Sequence, residues 1–351
     1  MKTEKMTISN NDKLALISNL STMLTAGIPI LETVKSLSEE SKDNLKKILE
    51  LVHDDLIQGK NLSQSFARFP KIFSKINLNI LKSSEESGTL ETALKDLRDN
   101  IRRDMEFTDK IKAALLYPII LLVIFAAMFL LVLLFVIPRI ATIFSNLKVV
   151  LPLPTKIMIF TSTALRTHSL PILAVLLLLV LLLVYLYRTK KKSFYSLFSR
   201  LPVLSNLFKE IDLSRFSRSL ALLLSSNITI INALELVQDV VVNSDIKKAI
   251  ADSKRIIASG GKLSEGLKTT KNKSIPGIIV KIIESGEKTG SLDKAMQDVS
   301  DYMDYNVTND LKTTTTLLEP VILVVVGLFL GVMMISIIAP IYNLISQINN
   351  G

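Results

Sequence analysis

Cysteine is absent from the 351 residues. That excludes a disulfide framework and thiolate metal centres, and nothing points to an oxidised extracellular fold. The two histidines, His53 and His168, lie far apart and are too few for a histidine-rich metal site; each reads as an ordinary surface or interfacial residue. With only 12 Gly and 11 Pro, the chain is not a low-complexity or disordered one. No phosphate-binding P-loop occurs: GGKLSEG at Gly260–Gly266 has glycines and a lysine without the required spacing, and reads as a helix-capping loop. HExxH, GxSxG and a cysteine nucleophile are missing too, and the acids follow solvated helix faces instead of forming a hydrolytic pair. The chain therefore reads as no enzyme, with no catalytic residue, cofactor or metal. Its net charge of +10 comes without an aromatic-studded basic stripe, so no directly bound nucleic acid is expected.

What the chain does have is apolar sequence, 49% of all residues. Three runs are long enough to span ~30 Å of hydrocarbon: Leu115 to Ile137, Leu170 to Tyr187, and Val321 to Ile338 extended by Leu317 and Leu318. None is a cleavable signal peptide, because the first begins more than a hundred residues into the chain. Charge sets their orientation. Arg98, Arg102, Arg103, Lys110 and Lys112 precede the first run, RTKKK at Arg188–Lys192 follows the second, and the tail after the third has no Lys or Arg. Cytoplasmic flanks collect such residues, which puts the N-terminus inside, 139–169 outside, 188–316 inside and the tail outside.

The sequence also repeats itself. LISNLSTMLTAGIPILETVKSL from Leu16 aligns with FSRSLALLLSSNITIINALELV from Phe216, QGKNLSQSF with SGGKLSEGL, and SSEESGTLETAL with SGEKTGSLDKAM. The match continues to Pro118 against Pro320 and Pro138 against Pro340. Two copies of one unit, each a polar helical domain leading into a membrane helix, need a spare span between them to keep one orientation; the repeats are then parallel. Apolar residues recur at helical spacing, as at Leu16, Leu20, Met23 and Leu24, and no useful alternating pattern appears. The expected fold is an all-α integral membrane protein with two tandem cytoplasmic helical-bundle repeats in parallel orientation and three transmembrane helices. Its domains are 1–114 (first cytoplasmic repeat), 115–137 (transmembrane helix 1), 138–169 (external loop), 170–187 (transmembrane helix 2), 188–316 (second repeat), 317–339 (transmembrane helix 3) and 340–351 (external tail).

The duplicated polar stretch reads as a helix stop followed by a helix start. Gly88 and Gly290 suit the left-handed close of one helix. Thr89 and Ser291 suit the N-cap of the next, with Glu91 and Asp293 in its first turn near the positive dipole end. Glu85 and Glu287 break this logic, standing near a helix C-terminus where an acid is disfavoured. A basic side chain, a backbone amide or another protein would account for them, as would plain exposure beside Lys82 or Lys288. Gly27 and Pro29 predict a tight helix–helix connection. Glu319 before Pro320 admits two readings, an acid facing a partner at membrane depth or one in the headgroup zone at a helix's first turn. Pro118 reads as the matching first-turn proline and Tyr117 as an interfacial anchor.

Taken together, AGIPI at Ala26–Ile30, GEKTGSL at Gly286–Leu292, Tyr117–Pro118 and Glu319–Pro320 resemble the type II secretion system F family over nearly the whole chain, from about Leu14 to Asn343. Those are the inner-membrane platform proteins of type II secretion, type IV pilus and competence pseudopilus machines. Ser84 departs from the family's usual glycine, and Asn227 and Thr229 replace the Gly and Pro of the second hairpin. The resemblance implies a multi-pass protein of the bacterial cytoplasmic membrane, homo-oligomeric and in contact with lipid. Implied partners are a cytoplasmic hexameric assembly ATPase, pilin or pseudopilin subunits and other inner-membrane assembly proteins. Glu85, Gly88, Thr89, Gly286, Glu287, Gly290 and Ser291 would form the coupling elements. The rivals are an oligomeric transporter or channel subunit, which would want polar residues inside its spans, and a receptor, which would want a substantial outer domain.

Overall fold

The structure is a computed structural model and describes residues 3–146, 153–167, 202–268 and 275–349. Among these the chain is helical, with no strand. It divides into two compact units, Met1–Lys110 with Tyr195–Thr308, and Ile111–Phe194 with Asn309–Gly351.

In the first unit, α1 (Asn10–Thr25), α2 (Ile30–Glu40), α3 (Asp43–Ile57), α4 (Leu62–Phe66) and α5 (Lys75–Ser87) precede the long α6 (Leu90–Leu131). α1 starts at a capping box in which Ser9 and Asp12 satisfy each other's backbone amides. Its apolar face buries Leu16, Ile17, Leu20 and Leu24, and α3 adds Ile48, Leu49 and Val52. Phe66 and Phe73 stack at 4.0 Å beneath them.

Two helices of the second unit follow in the chain, α7 (Ile137–Asn146) and α8 (Leu153–Thr167). The second half of the first unit then repeats the opening order. α9 (Pro202–Ser225), α10 (Ile230–Val237), α11 (Ser244–Ala258), α12 (Leu263–Lys268) and α13 (Gly277–Thr289) precede α14 (Leu292–Asn349). Phe216, Leu220, Leu223, Leu234, Ile250 and Ile283 form its core. Ile76, Ile80 and Ala93 from the first half join that core, so the two halves share apolar burial. Asp212, fully buried on α9, fastens the α10–α11 connection by accepting the amides of Val242 (2.9 Å) and Asn243 (2.6 Å). Burial raises its carboxyl above the usual range, and the two amide bonds pull only partly the other way.

The hairpin between α9 and α10 lacks the expected glycine and proline but keeps the geometry. Asn227 takes φ 58°, the left-handed conformation of Gly27 at 83°; asparagine is among the few side chains that tolerate it. Thr229 stands at φ −57°, ψ 143°, against Pro29 at −57°, 146°. Ile228 N–H reaches the Leu223 carbonyl at 3.1 Å, as Ile28 reaches Met23 at 3.0 Å.

The second unit corrects the reading of the prolines. Pro118 lies inside α6 and Pro320 inside α14, so neither opens a helix. A proline in the first turn leaves no hydrogen bond unmade, whereas one in the interior deprives the carbonyl four residues back. For Pro118 that carbonyl is Ala114. The Thr315 hydroxyl lies 3.4 Å from it and 2.8 Å from the Leu311 carbonyl; with one proton, the nearer bond takes most of it.

α6 passes into a π-turn at Val132–Val136 and continues as α7. The expected loop over 138–169 therefore holds most of α7 and the whole of α8. α8 buries Met158 and Ser162 against Val132, Leu133 and Ile137. Phe329 of α14 packs on Phe125 and Phe129 of α6, with centroids 6.0 and 4.7 Å apart. α6 with its continuation, and α14, are long and apolar enough to cross a membrane. The expected span at 170–187 lies outside the described residues.

Candidate functional site

Each copy of the polar stretch closes one helix and opens another. Gly88 ends α5 at φ 69° and Gly290 ends α13 at φ 70°. Thr89 N–H bonds back to the Ser84 carbonyl at 2.9 Å and Ser291 N–H to Gly286 at 2.9 Å, six-to-one bonds that close the helix C-termini. The Thr89 and Ser291 carbonyls then accept from Ala93 and Ala295, both at 3.1 Å, and α6 and α14 begin. The Thr89 hydroxyl itself lies 2.8 Å from that of Ser87.

Glu85 and Glu287 have the same partner in both copies. Ser63, in the first turn of α4, donates its N–H to the two Glu85 oxygens at 3.2 and 3.3 Å, and its hydroxyl to Oε2. Ser264, in the first turn of α12, donates its N–H to Glu287 Oε1 at 3.2 Å and its hydroxyl to Oε2 at 2.5 Å. A carboxylate disfavoured by the end of its own helix thus sits at the positive end of a neighbouring one and satisfies an amide that helix cannot. Both acids are half-buried braces inside their own bundles. The nearby lysines serve others: Lys82 pairs with Glu86 at 4.0 Å and Lys288 with Glu284 at 3.0 Å.

Gly286 and Gly290 have different physical reasons. A Cβ on Gly286 would lie 2.3 Å from that of Ala295, so α13 and the start of α14 approach too closely for a side chain. At Gly290 a Cβ would meet nothing within 4 Å, and only the left-handed backbone selects glycine. Ser84, at the position matching Gly286, is buried and turns its hydroxyl onto the Leu81 carbonyl at 2.8 Å. Tyr117 and Pro118 on α6, and Glu319 and Pro320 on α14, lie along exposed helix surface or in helix interiors, away from the glycine elements in sequence.

A charge cluster that the sequence reading did not single out joins both long helices to α9. Arg218 is 4% exposed; it pairs with Asp304 of α14 and, at 3.4 Å, with Asp104 of α6. Its guanidinium lies 5.1 Å from the centre of the Phe107 ring. Ser214 also donates to Asp304. Burial holds the Asp304 carboxyl above its ordinary range, with Arg218 and Ser214 pulling it back down in part. The signal was present as an arginine within the apolar FSRSLALLL run, where a charge must be paired to be buried.

The described residues thus define an all-α protein with a two-halved helical bundle and two helices fit to cross a membrane. The family model of the type II secretion system (T2SS), protein F, matches residues 16–138 and again 216–340, and the chain belongs to that family. It is 29% identical over 341 residues to the type IV pilus assembly protein PilC of Thermus thermophilus, covering 96% of this chain and 83% of that protein. Against the type II secretion system protein F of Aeromonas hydrophila it is 26% identical over 346 residues, 97% and 88% of the two chains. PilC of Myxococcus xanthus is 25% identical over 344 residues, 97% and 82%.

Proposed function

We propose that this chain is the inner-membrane platform of a type IV pilus or type II secretion-like machine. It would couple a cytoplasmic hexameric ATPase to the assembly of pilin or pseudopilin subunits. In this reading the two halves of the bundle are parallel cytoplasmic repeats and the chain crosses the membrane three times, with residues 170–187 as the middle span. The N-terminus is cytoplasmic, the C-terminus external, and the protein acts without catalysis as a homo-oligomer. The names of its relatives support the machine. One observation carries the mechanism: α6 and α14 each start directly after a left-handed glycine and run unbroken for 42 and 58 residues. A helix kept whole through an interior proline can pass a displacement along its length, and Gly88 and Gly290 are the points where a push on α5 or α13 would enter it.

The test is Gly290→Val beside Gly290→Asn. A β-branched residue is strained in the left-handed region, whereas asparagine already adopts it at Asn227. Valine should abolish filament assembly with membrane insertion intact, and asparagine should restore it; normal piliation in the valine strain would sink the coupling role. Co-purification with a Walker-motif ATPase and prepilins checks the machine. A crosslinked preparation free of both would favour the transporter reading.

A further inference from the structure

α8 has two unlike faces. Met158 and Ser162, 8% and 2% exposed, lie against the π-turn of α6. Phe160 stands two positions before Ser162, about 200° round the helix at ~100° per residue, and is 76% exposed; Ile157, one turn earlier, is 63% exposed. Lys156 precedes Phe160 by four positions and shares its face, and Arg166 occupies the last turn; both are exposed. No Asp or Glu occurs between Asp109 and Glu210, so every formal charge on α8 and on the sequence flanking it is positive. A bare phenylalanine face in water is unfavourable, but one anchored to the end of a membrane helix and edged by cations suits the acyl–headgroup boundary.

We propose that α8 is a lipid-binding surface, lying in the headgroup zone of the outer leaflet. Phe160 and Ile157 enter among the acyl chains, and Lys156 and Arg166 reach the phosphates of anionic phospholipid. The assignment rests on the reading that α6 crosses the bilayer. The Ser162 bond to the π-turn fixes the rotation of α8 and therefore which face meets lipid. The occupant is lipid and not water or a second protein copy because Phe160, Ile157 and Lys156 share one face, Arg166 stands in the last turn about 120° round from Phe160, and no acid is present to repel phosphate.

The chain has no tryptophan, so a single introduced indole reports without background. The full chain carrying Phe160→Trp is reconstituted in phosphatidylcholine vesicles with and without phosphatidylglycerol, then quenched by acyl-brominated lipid or by aqueous iodide. Phe135→Trp, on the π-turn where Phe135 is 64% exposed, serves as the span control. The expected result is blue-shifted emission from the Phe160→Trp chain, lost to bromolipid and little affected by iodide. Phosphatidylglycerol should enlarge the shift, and that enlargement should disappear when Lys156→Gln and Arg166→Gln are added. Iodide quenching without bromolipid quenching in the Phe160→Trp chain, while the Phe135→Trp control still answers to bromolipid, overturns the proposal and leaves the span standing. Silence of both indoles toward bromolipid removes the span and the proposal together. A blue-shifted indole in the Phe160→Trp chain that neither agent quenches is covered by protein, which also overturns it. A response to phosphatidylglycerol that survives the two glutamine substitutions overturns the phosphate contacts.

Discussion

The Ser162 hydroxyl donates at 2.5 Å to the carbonyl of Leu133, which its own helix leaves without a donor. In the π-turn the Ile137 N–H turns to Val132, and the next donor in that pattern would be Pro138, which has none. A hydroxyl from another helix is how apolar surroundings tolerate a helix-interior proline. Ser162→Ala should therefore destabilise the second unit by about 1 kcal/mol, since hydroxyl bonds between membrane helices average ~0.6 and reach ~1.7. Thermal unfolding in lipid nanodiscs checks this; an unchanged midpoint would mean that the Leu133 carbonyl finds another donor.

The carboxylates of Glu85 and Glu287 predict a paired effect. Replacing either by Ala frees the Ser63 or Ser264 amide at a helix N-terminus and should cost about 1 kcal/mol, the usual worth of a cap. Glutamine, which keeps an acceptor but not the charge, should cost less than alanine. Amide hydrogen exchange at Ser63 and Ser264 is the direct readout, with faster exchange confined to the substituted copy. If both amides stayed protected in both alanine variants, the braces would not be what orders α4 and α12.

Much of this arrangement was legible because it depends on backbone rules. A glycine followed by a hydroxyl residue and an acid announces a helix stop and start, and Gly88–Leu90 and Gly290–Leu292 obey it. The hairpin survived the loss of its glycine because Asn227 tolerates the same φ. What sequence could not give was the partner of Glu85, since a capped amide 22 residues away leaves no local pattern. The prolines misled for a related reason: interior and first-turn proline look alike until the neighbouring hydroxyls are located in space, and Thr315 lies 201 residues from Ala114. Arg218 was hidden because its acids come from two other helices.

Asp55 makes the first half of the bundle acid-sensitive. It is 2% exposed, yet Lys60 and Arg68 each reach it at 2.7 Å. Burial alone would raise its carboxyl, but the two bonds and the two charges outweigh that and hold it below the ordinary 3.8. A depressed folded value means that its stabilisation is fully present above 3.8 and is lost as pH falls through the lower one. Denaturation of the wild type and Asp55→Asn should therefore differ by about 1–3 kcal/mol near neutrality, and the gap should close on acidification. A gap that stayed constant to pH ~2 would show that the pairing carries no folding energy.

Arg218 supports the sharpest prediction. Arg218→Met leaves the half-buried Asp304, its side chain 28% exposed, with Ser214 as its remaining partner, and should cost about 1–3 kcal/mol. Asp104 is 55% exposed and returns to solvent, so the loss centres on Asp304. Adding Asp304→Leu should recover most of it, because an apolar pair of similar volume needs no counter-charge. The pH response separates charge from packing. Burial already raises the Asp304 carboxyl with Arg218 in place, so the folded state favours its protonated form. Stability linked to that form is fully present below the ordinary 3.8 and is lost as pH rises through the folded value. Without Arg218 the folded value climbs further, and the methionine variant should regain stability relative to wild type as pH is lowered. A deficit equal at every pH would instead locate the defect in lost packing over Phe107, and the double variant would then fail to recover.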